Sequence, residues 1–194
     1  MYRIMTQNLK ILIENYKKNL ETPNLQLINE KFLDEIIILP DNNMLDSNTK
    51  LLDLTFNNAL FKQSDLINIR FFHGSFGLSV FDECFFKNCI FSNIHFREME
   101  SVKSNFKNCI FIDCIFFDGD ISETTFESCT FSKGSLDDCE FKSCHFINTV
   151  FQNVVFGFGT LIDSKFSNSN KSIKFEERVL FLDIFDKINK FYID

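Results

Sequence analysis

The side chains of this chain that are suited to metal or redox chemistry are its cysteines. Cys89, Cys109 and Cys129 are spaced by 20 residues, so a coil of that length would stack them about 4.8 Å apart. A disulfide tolerates that distance, but parallel Cβ vectors fit its dihedral angle poorly, and zinc needs ligands that converge in a tetrahedron. We therefore expect buried thiols that pack as small hydrophobic groups, with no metal and no cofactor. The remaining cysteines are Cys84, Cys114, Cys139 and Cys144.

The three histidines do not form a second candidate site. His73, His95 and His145 fall at different positions of the same 20-residue period, so they lie on different sides of such a coil. The sequence has no glycine-rich phosphate-binding loop, and we find no serine, histidine and aspartate that assemble into a nucleophilic triad. We therefore predict no catalytic residues and no enzymatic activity.

The elements that must position these side chains follow from a hydrophobic residue at every fifth position between 51 and 166. Phe fills 18 of these 24 positions, and Leu, Ile or Ser fills the others, with no break in register. An α-helix repeats its face every 3.6 residues and a strand every 2 residues, so neither explains the series. A fixed period of another length indicates a solenoid.

Two further positions of the five-residue unit have a fixed character. Two residues before each hydrophobic position lies a small or apolar residue, and all seven cysteines occupy this place. Two residues after it, Asn or Asp fills 13 of the 24 positions, and both residues tolerate tight turns. The unit therefore predicts a short extended stretch with one large and one small inward side chain, followed by a corner.

Segments such as Phe86-Lys-Asn-Cys-Ile-Phe91 and Phe106-Lys-Asn-Cys-Ile-Phe111 resemble the pentapeptide-repeat family. In that family four pentapeptides form one square coil. The resemblance therefore implies an all-β solenoid, a right-handed quadrilateral parallel β-helix of about six coils. We place this β-helix at residues 49–170.

Two flanking segments lack the period. Residues 1–48 are predicted to cap the first coil, with a helix that begins near Thr6 and ends at Pro23. After Pro23, residues 24–39 fit a helix in their first part and a strand in their last part. Residues 171–194 are predicted to form a helix that caps the last coil and pairs two copies of the chain, or else carries a tail folded over its second apolar patch. The residues of its main apolar face are Leu180, Phe181, Ile184, Phe185, Ile188, Phe191 and Tyr192.

One coil departs from the pattern. Ser101 occupies a position that is otherwise large and hydrophobic, and Met99 occupies the adjacent small position. We predict that the two have exchanged roles, with Met99 filling the volume that a Phe at position 101 would occupy.

Charge is the main surface feature. The net charge of −7 argues against direct binding of nucleic acid. When the outward residues are sorted by the 20-residue period, the acidic excess falls on two adjacent sides, and another side carries the apolar column Ile90, Ile110 and Val150. The candidate acidic binding residues are Asp82, Glu83, Glu98, Glu100, Asp118, Asp120, Glu123, Asp137, Asp138, Glu140 and Asp163.

Two functions are open at this stage, both with a protein partner. The first is a non-enzymatic scaffold or interaction protein whose partner is unknown. The second follows from the resemblance to the Phe- and Cys-rich quinolone-resistance members: a partial DNA mimic that binds DNA gyrase or topoisomerase IV and modulates or protects it. Those members have projecting loops, which the unbroken register here lacks.

The absence of an export signal or membrane span, together with an odd number of cysteines, predicts a cytoplasmic protein, and the composition suggests a bacterial source.

Overall fold

The structure is a computed structural model, and it describes residues 25–28, 31–33, 36–38, 52–57, 59–67, 69–169, 172–175 and 180–182. Every described element is a β-strand, and every described pairing between strands is parallel. Within these ranges no helix is long and apolar enough to cross a membrane. The strands in chain order are β1 (Leu25–Ile28), β2 (Lys31–Leu33), β3 (Ile36–Ile38), β4 (Leu52–Asn57), β5 (Leu60–Lys62), β6 (Asp65–Ile67), β7 (Arg70–Ser75), β8 (Val80–Asp82), β9 (Phe85–Lys87), β10 (Ile90–Ser92), β11 (His95–Arg97), β12 (Glu100–Val102), β13 (Asn105–Lys107), β14 (Ile110–Ile112), β15 (Ile115–Phe117), β16 (Asp120–Ser122), β17 (Thr125–Glu127), β18 (Thr130–Ser132), β19 (Ser135–Asp137), β20 (Glu140–Lys142), β21 (His145–Ile147), β22 (Val150–Phe156), β23 (Thr160–Ile162), β24 (Lys165–Ser167), β25 (Ser172–Phe175) and β26 (Leu180–Leu182).

The strands form the four sides of a β-helix. Side 1 is the sheet β2-β5-β8-β12-β16-β20-β23-β26, and side 2 is the sheet β3-β6-β9-β13-β17-β21-β24. Side 3 contains β10, β14 and β18, side 4 contains β11, β15 and β19, and the longer strands β7 and β22 run around the corner between them. In the regular part, each residue pairs with the residue 20 positions later, as Phe91 does with Phe111. The predicted parallel, four-sided β-helix is confirmed.

The corners have one recurring backbone conformation. At each corner that the structure describes between Gln63 and Asn168, the residue two positions after the large inward position has a positive φ, between 49° and 56°. Its amide donates to a carbonyl of the next coil, as Asn88 N does to Lys107 O at 3.0 Å. Asn and Asp are frequent here because they adopt this left-handed conformation at lower cost than most residues do. The predicted corner position is therefore correct.

Phenylalanine rings fill the interior and stack from coil to coil. Ring centroids lie 4.5 Å apart for Phe86 and Phe106 on side 2, and 4.4 Å apart for Phe96 and Phe116 on side 4. Rings on neighbouring sides instead meet edge-on or tilted, an arrangement that aromatic quadrupoles favour. Burial of each ring stabilises the fold by roughly 1.5–3 kcal/mol. The inward hydrophobic series is therefore the principal stabilising feature of the rod.

The small inward position carries a hydrogen-bonding role that the sequence did not reveal. The Ser79 hydroxyl donates to Phe56 O at 2.6 Å and accepts from Ala59 N at 3.2 Å. The Cys109 thiol donates in the same way to Phe86 O at 3.5 Å. Ser, Thr and Cys therefore suit this place because each is small and satisfies a carbonyl that is buried beside the stacked rings.

The start of the β-helix differs from the predicted register. β4 pairs with β7 through a register shift between Asp53 and Thr55, so that Leu52, and not Leu51, lies opposite Phe71. The regular part therefore has about five coils, where the sequence predicted about six. Before it, β1, β2 and β3 pair with β4, β5 and β6, which makes the described parts of the ambiguous stretch 24–39 strands. The predicted helix between Thr6 and Pro23 lies outside the described residues.

Most of the predicted helix over residues 171–194 lies outside the described residues, and the residues that the structure does describe there, 172–175 and 180–182, are strands. β25 and β26 continue the β-helix by pairing with β22 and β23, and Phe181 lies opposite Leu161 in the same 20-residue register. The physical reason is that the backbone groups at the end of a parallel sheet take strand partners in preference to remaining unpaired. The predicted helix-face residues Ile184, Phe185, Ile188, Phe191 and Tyr192, and with them the predicted dimer contact, lie outside the described residues.

Met99 and Ser101 both lie inside the coil. Met99 is 2% exposed and Ser101 is fully buried. The Ser101 hydroxyl lies 3.1 Å from the Thr124 hydroxyl, so its polar group is satisfied. This arrangement is compatible with the predicted exchange, because the large side chain of the pair points inward from position 99.

A double-mutant cycle tests the exchange. Met99→Cys is expected to lower the free energy of unfolding by about 2 kcal/mol because it leaves a cavity, and Ser101→Phe is expected to cost about 1–3 kcal/mol by overpacking. The double variant restores the usual Cys and Phe pair, so it should lose less than the sum of the two. Urea unfolding of the four proteins measures these values, and additive losses would show that the two side chains do not share a volume.

Candidate interaction surface

The acidic residues selected from the sequence form columns along the rod. On side 1, Glu100 lies opposite Asp120 and Asp120 lies opposite Glu140 on consecutive strands. All three residues are exposed. Neighbouring strands are about 4.8 Å apart, so the three carboxylates repeat at that spacing. We call these three residues the side-1 acidic column.

A second acidic column lies at the corner where side 4 meets side 1. It consists of Glu98, Asp118 and Asp138, one residue per coil, each with a positive φ and each exposed. Their amides donate to the next coil at 2.8–3.0 Å, which fixes the backbone beneath each carboxylate. At the same corner, the coil before carries Leu78 and the coil after carries Phe158. We call Glu98, Asp118 and Asp138 the corner acidic column.

Polar partners engage some of the selected acidic residues. Lys62 Nζ lies 2.6 Å from Asp82 Oδ2, and Arg97 Nε lies 3.0 Å from Glu98 Oε1. Exposed pairs of this kind stabilise a fold by at most about 1 kcal/mol. Within the described residues, no ion pair involves the side-1 acidic column. The other selected residues lie on the same two sides or their corners: Glu83, which accepts from Gln63, and Glu123, Asp137 and Asp163.

Apolar side chains are exposed beside the acidic corner. On β15 of side 4, Ile115 is 42% exposed and Phe117 is 39% exposed, and both point outward because they flank the inward Phe116. The corner residues Leu78 and Phe158 are 54% and 47% exposed. The sequence pattern indicated a column on side 3 instead, of which Ile110 is 36% exposed. The signal it missed was apolar residues at outward positions directly beside the acidic ones.

The cysteines lie in the interior, as predicted. All seven are buried, and none forms a disulfide. Burial raises the pKa of the Cys84 thiol to about 11 and that of the Cys114, Cys139 and Cys144 thiols to about 12, because the thiolate is poorly solvated there. These four thiols are therefore poor nucleophiles at neutral pH.

The histidines lie on separate elements, also as predicted. His73 is at the corner after side 3, His95 is on β11 of side 4, and His145 is on β21 of side 2. The described residues contain no group of three metal-ligating side chains.

A small interior gap lies beside a unit in which both inward residues are smaller than those usual at their positions. Gly134 and Leu136 occupy the small and large inward positions of that unit, and they line a cavity of about 10 Å³ together with Phe111 and Phe131. A Cβ atom at position 134 would lie 2.5 Å from Cys114 O, which explains why glycine is needed there. The cavity is at the lower limit of the space that one water molecule requires, so it offers no room for a substrate.

Comparisons with known proteins return one family profile and a set of solved structures. A family profile for the SV2A/B/C luminal domain matches residues 43–136. A search of curated protein sequences finds no match. Among solved structures, a trypsin-treated variant of QnrB1, a plasmid-mediated fluoroquinolone resistance protein, is 19% identical over 81% of this chain and 89% of that chain, with a TM-score of 0.39.

Two cyanobacterial pentapeptide-repeat proteins are also similar in structure. Rfr23 of Cyanothece 51142 is 7% identical over 92% of this chain and 99% of that chain, with a TM-score of 0.34. HetL of Nostoc sp. strain PCC 7120, which is involved in regulating heterocyst differentiation, is 8% identical over 89% of this chain and 92% of that chain, with a TM-score of 0.24. At these identities and TM-scores the similarity says nothing about the function of this chain.

Proposed function

We propose that this chain, a β-helix of the pentapeptide-repeat type, is an interaction scaffold that presents fixed rows of carboxylates to a basic surface of a protein partner. The observation that carries the proposal is the side-1 acidic column, Glu100, Asp120 and Glu140, which repeats at the strand spacing beside a second column at the corner. Strand hydrogen bonds hold the backbone beneath these carboxylates, so a partner need not order it on binding. That lowers the entropic cost of association.

The electrostatics favour a protein over a nucleic acid as the partner. Phosphate backbones would be repelled by the acidic sides, whereas Lys and Arg side chains at similar spacing would be attracted. Charge complementarity of this kind accelerates encounter and selects the partner, and it weakens as salt screens the exposed charges. Salt-sensitive binding is therefore the property that tests the proposal.

A second candidate is more specific: a partial DNA mimic that binds DNA gyrase or topoisomerase IV. It is favoured by the arrangement of carboxylates in rows and by the sequence resemblance to quinolone-resistance members. Duplex DNA carries one charge per about 1.7 Å, or roughly 14 over the length of the five regular coils, so these acidic sides would reproduce only part of that charge. The general scaffold proposal does not depend on this narrower identification.

The experiment uses two probes that have basic DNA-binding surfaces, DNA gyrase and a histone octamer free of DNA. Binding of the purified chain is measured by fluorescence anisotropy at 50 and 200 mM salt, and gyrase supercoiling is measured with and without a quinolone. The test variant is Glu100→Lys, Asp120→Lys, Glu140→Lys. The matched control is Asp65→Lys, Asp113→Lys, Glu127→Lys, which changes the net charge equally on the other sides.

We expect salt-sensitive binding that the test variant weakens about tenfold or more and that the control weakens far less. A change in supercoiling, together with preference for gyrase over the octamer, would select the topoisomerase candidate. Equal losses in the two variants would show that only net charge matters and would contradict the proposed surface. Absence of binding to both probes would remove the proposed function.

A further inference from the structure

The surface where side 4 meets side 1 combines apolar and acidic groups in separate strips. Ile115 and Phe117 are the exposed apolar side chains of β15, and Asp118, the middle residue of the corner acidic column, directly follows Phe117 in the chain. Exposed apolar groups rimmed by charged residues are typical of interaction sites. The burial of the Phe ladder does not explain Ile115 or Phe117, because both point away from the interior.

The corner itself has apolar residues at both ends. Leu78 and Phe158 occupy corner positions with φ of 56° and 51°, a conformation that bulky side chains adopt at a cost. Their corner is otherwise acidic over the three intervening coils. Together with Ile115 and Phe117 they surround the acidic column on three sides with exposed apolar surface.

We infer that this surface binds a basic amphipathic α-helix of the protein partner, lying along the corner. The inference rests on the proposed function, because it names the kind of element that the acidic sides would receive. Leu78 to Phe158 spans four coil spacings, about 19 Å, which a helix of about 13 residues covers. One helical turn rises about 5.4 Å, close to the strand spacing, so basic residues one turn apart face successive carboxylates of the column.

Charge complementarity selects this occupant over a second copy of the chain. Arg97 is paired with Glu98, and no ion pair involves Asp118 or Asp138 within the described residues. A second copy would bring its own net charge of −7, whereas a basic helix supplies the missing cations. The apolar side of that helix then covers Ile115 and Phe117, which a purely electrostatic contact would leave in water.

The test uses an 18-residue peptide with lysines along one helical face and leucines along the adjacent face, and a scrambled peptide of the same composition. Binding to the full chain is measured by fluorescence anisotropy, and peptide helicity by circular dichroism. The test variant is Ile115→Thr, Phe117→Ser, since Thr and Ser are already found at outward strand positions such as 130 and 132. The control is Ile110→Thr, which removes an exposed apolar group on side 3.

We expect the amphipathic peptide to gain helicity on binding and to bind more tightly than the scrambled one. The test variant should weaken its binding by about tenfold or more, and the control variant by less than about twofold. Equal binding of the two peptides, or an unchanged affinity in the test variant, would overturn the helix site. If basic proteins still bind the side-1 column in that case, the proposed function stands; if they do not, both proposals fail.

Discussion

Raising the pH from 8 to 10 is expected to lower the free energy of unfolding of this protein by about 5 kcal/mol. The cause is the four thiols of Cys84, Cys114, Cys139 and Cys144, whose pKa values burial raises from 9.0 to about 11 or 12. Above pH 9 the unfolded chain releases these protons while the folded chain keeps them. Each thiol then costs about 1.4 kcal/mol of stability per pH unit.

The sign of the effect follows from the direction of the shift. A thiol whose folded pKa is raised contributes its full stabilisation below the unfolded pKa, and loses it as the pH rises through the folded pKa. The window is therefore pH 9 to about 12. Urea unfolding at pH 8 and pH 10, with a reductant present, gives the two free energies.

A quadruple Cys→Ser variant at positions 84, 114, 139 and 144 is the control. Serine already occupies the same inward position at Ser79, Ser104 and Ser164, where its hydroxyl donates to the same class of buried carbonyl. The variant should therefore fold, and it should lose far less stability between the two pH values. Equal losses in the parent and the variant would show that other groups, such as lysines or tyrosines, cause the alkaline unfolding.

Phe111→Ala is expected to lower the free energy of unfolding by about 3–5 kcal/mol, which is a large part of the stability of a typical domain. The Phe111 ring is stacked between Phe91, at 4.9 Å, and Phe131, at 4.5 Å. It also meets Phe106 and Phe116 on the neighbouring sides at 5.8 Å. Removal of the ring enlarges the cavity that Phe111 already lines.

Phe111→Leu is the matched comparison, because Leu66, Leu136 and Leu161 are buried at equivalent positions. It should cost only roughly 1–2 kcal/mol, since most of the volume is retained. Both values come from urea unfolding at pH 7. A loss of less than about 1 kcal/mol for the alanine variant would mean that the coils relax around the gap, contrary to the close packing that the stacked rings indicate.

Much of the fold was predictable because one physical requirement recurs in every coil. Each unit must place a large side chain inside, a small one beside it, and a residue in the left-handed conformation at the corner. In one unit these three places are filled by Phe86, Cys84 and Asn88, whose residue types suit them. The ends were less predictable. Leu51 fits the five-residue series, but the register shift in β4 is a property of pairing between coils, which a period in one strand does not encode.

The C-terminal segment shows how two periodicities can compete. The apolar residues between 173 and 192 fit the face of an α-helix, yet Phe181 also stands 20 residues after Leu161 and pairs in β26. Local pattern favoured the helix, while the exposed end of the sheet favoured the strand. Pairing with the preceding coil determines the strand conformation of these residues, and sequence periodicity alone does not report on such tertiary pairing.

The charged residues of the candidate site could be predicted from the sequence, but the exposed apolar residues beside them could not. The carboxylates of Glu100, Asp120 and Glu140 could be sorted onto one side because outward positions follow the same period as inward ones. Ile115 and Phe117 could not be identified as part of the site from the sequence, because their role depends on how much of each side chain stays exposed. That quantity depends on neighbours in the adjacent coils as well as on the position within the unit.

In the regular part of the β-helix, the pairing of each residue with the one 20 positions later has a consequence for how such a rod can change over time. Gain or loss of a whole coil, 20 residues, would leave each later residue on its own side and alter only the length. Gain or loss of a single pentapeptide would turn everything after it by a quarter revolution, while the interior would still receive a Phe and a small residue in every unit. The core would therefore remain filled after this quarter revolution, whereas an acidic column would be interrupted, because its later residues would lie on a different side. Duplication of five residues in a lineage is a route to new surfaces at little cost in folding, and duplication of twenty is a route to longer versions of the old one.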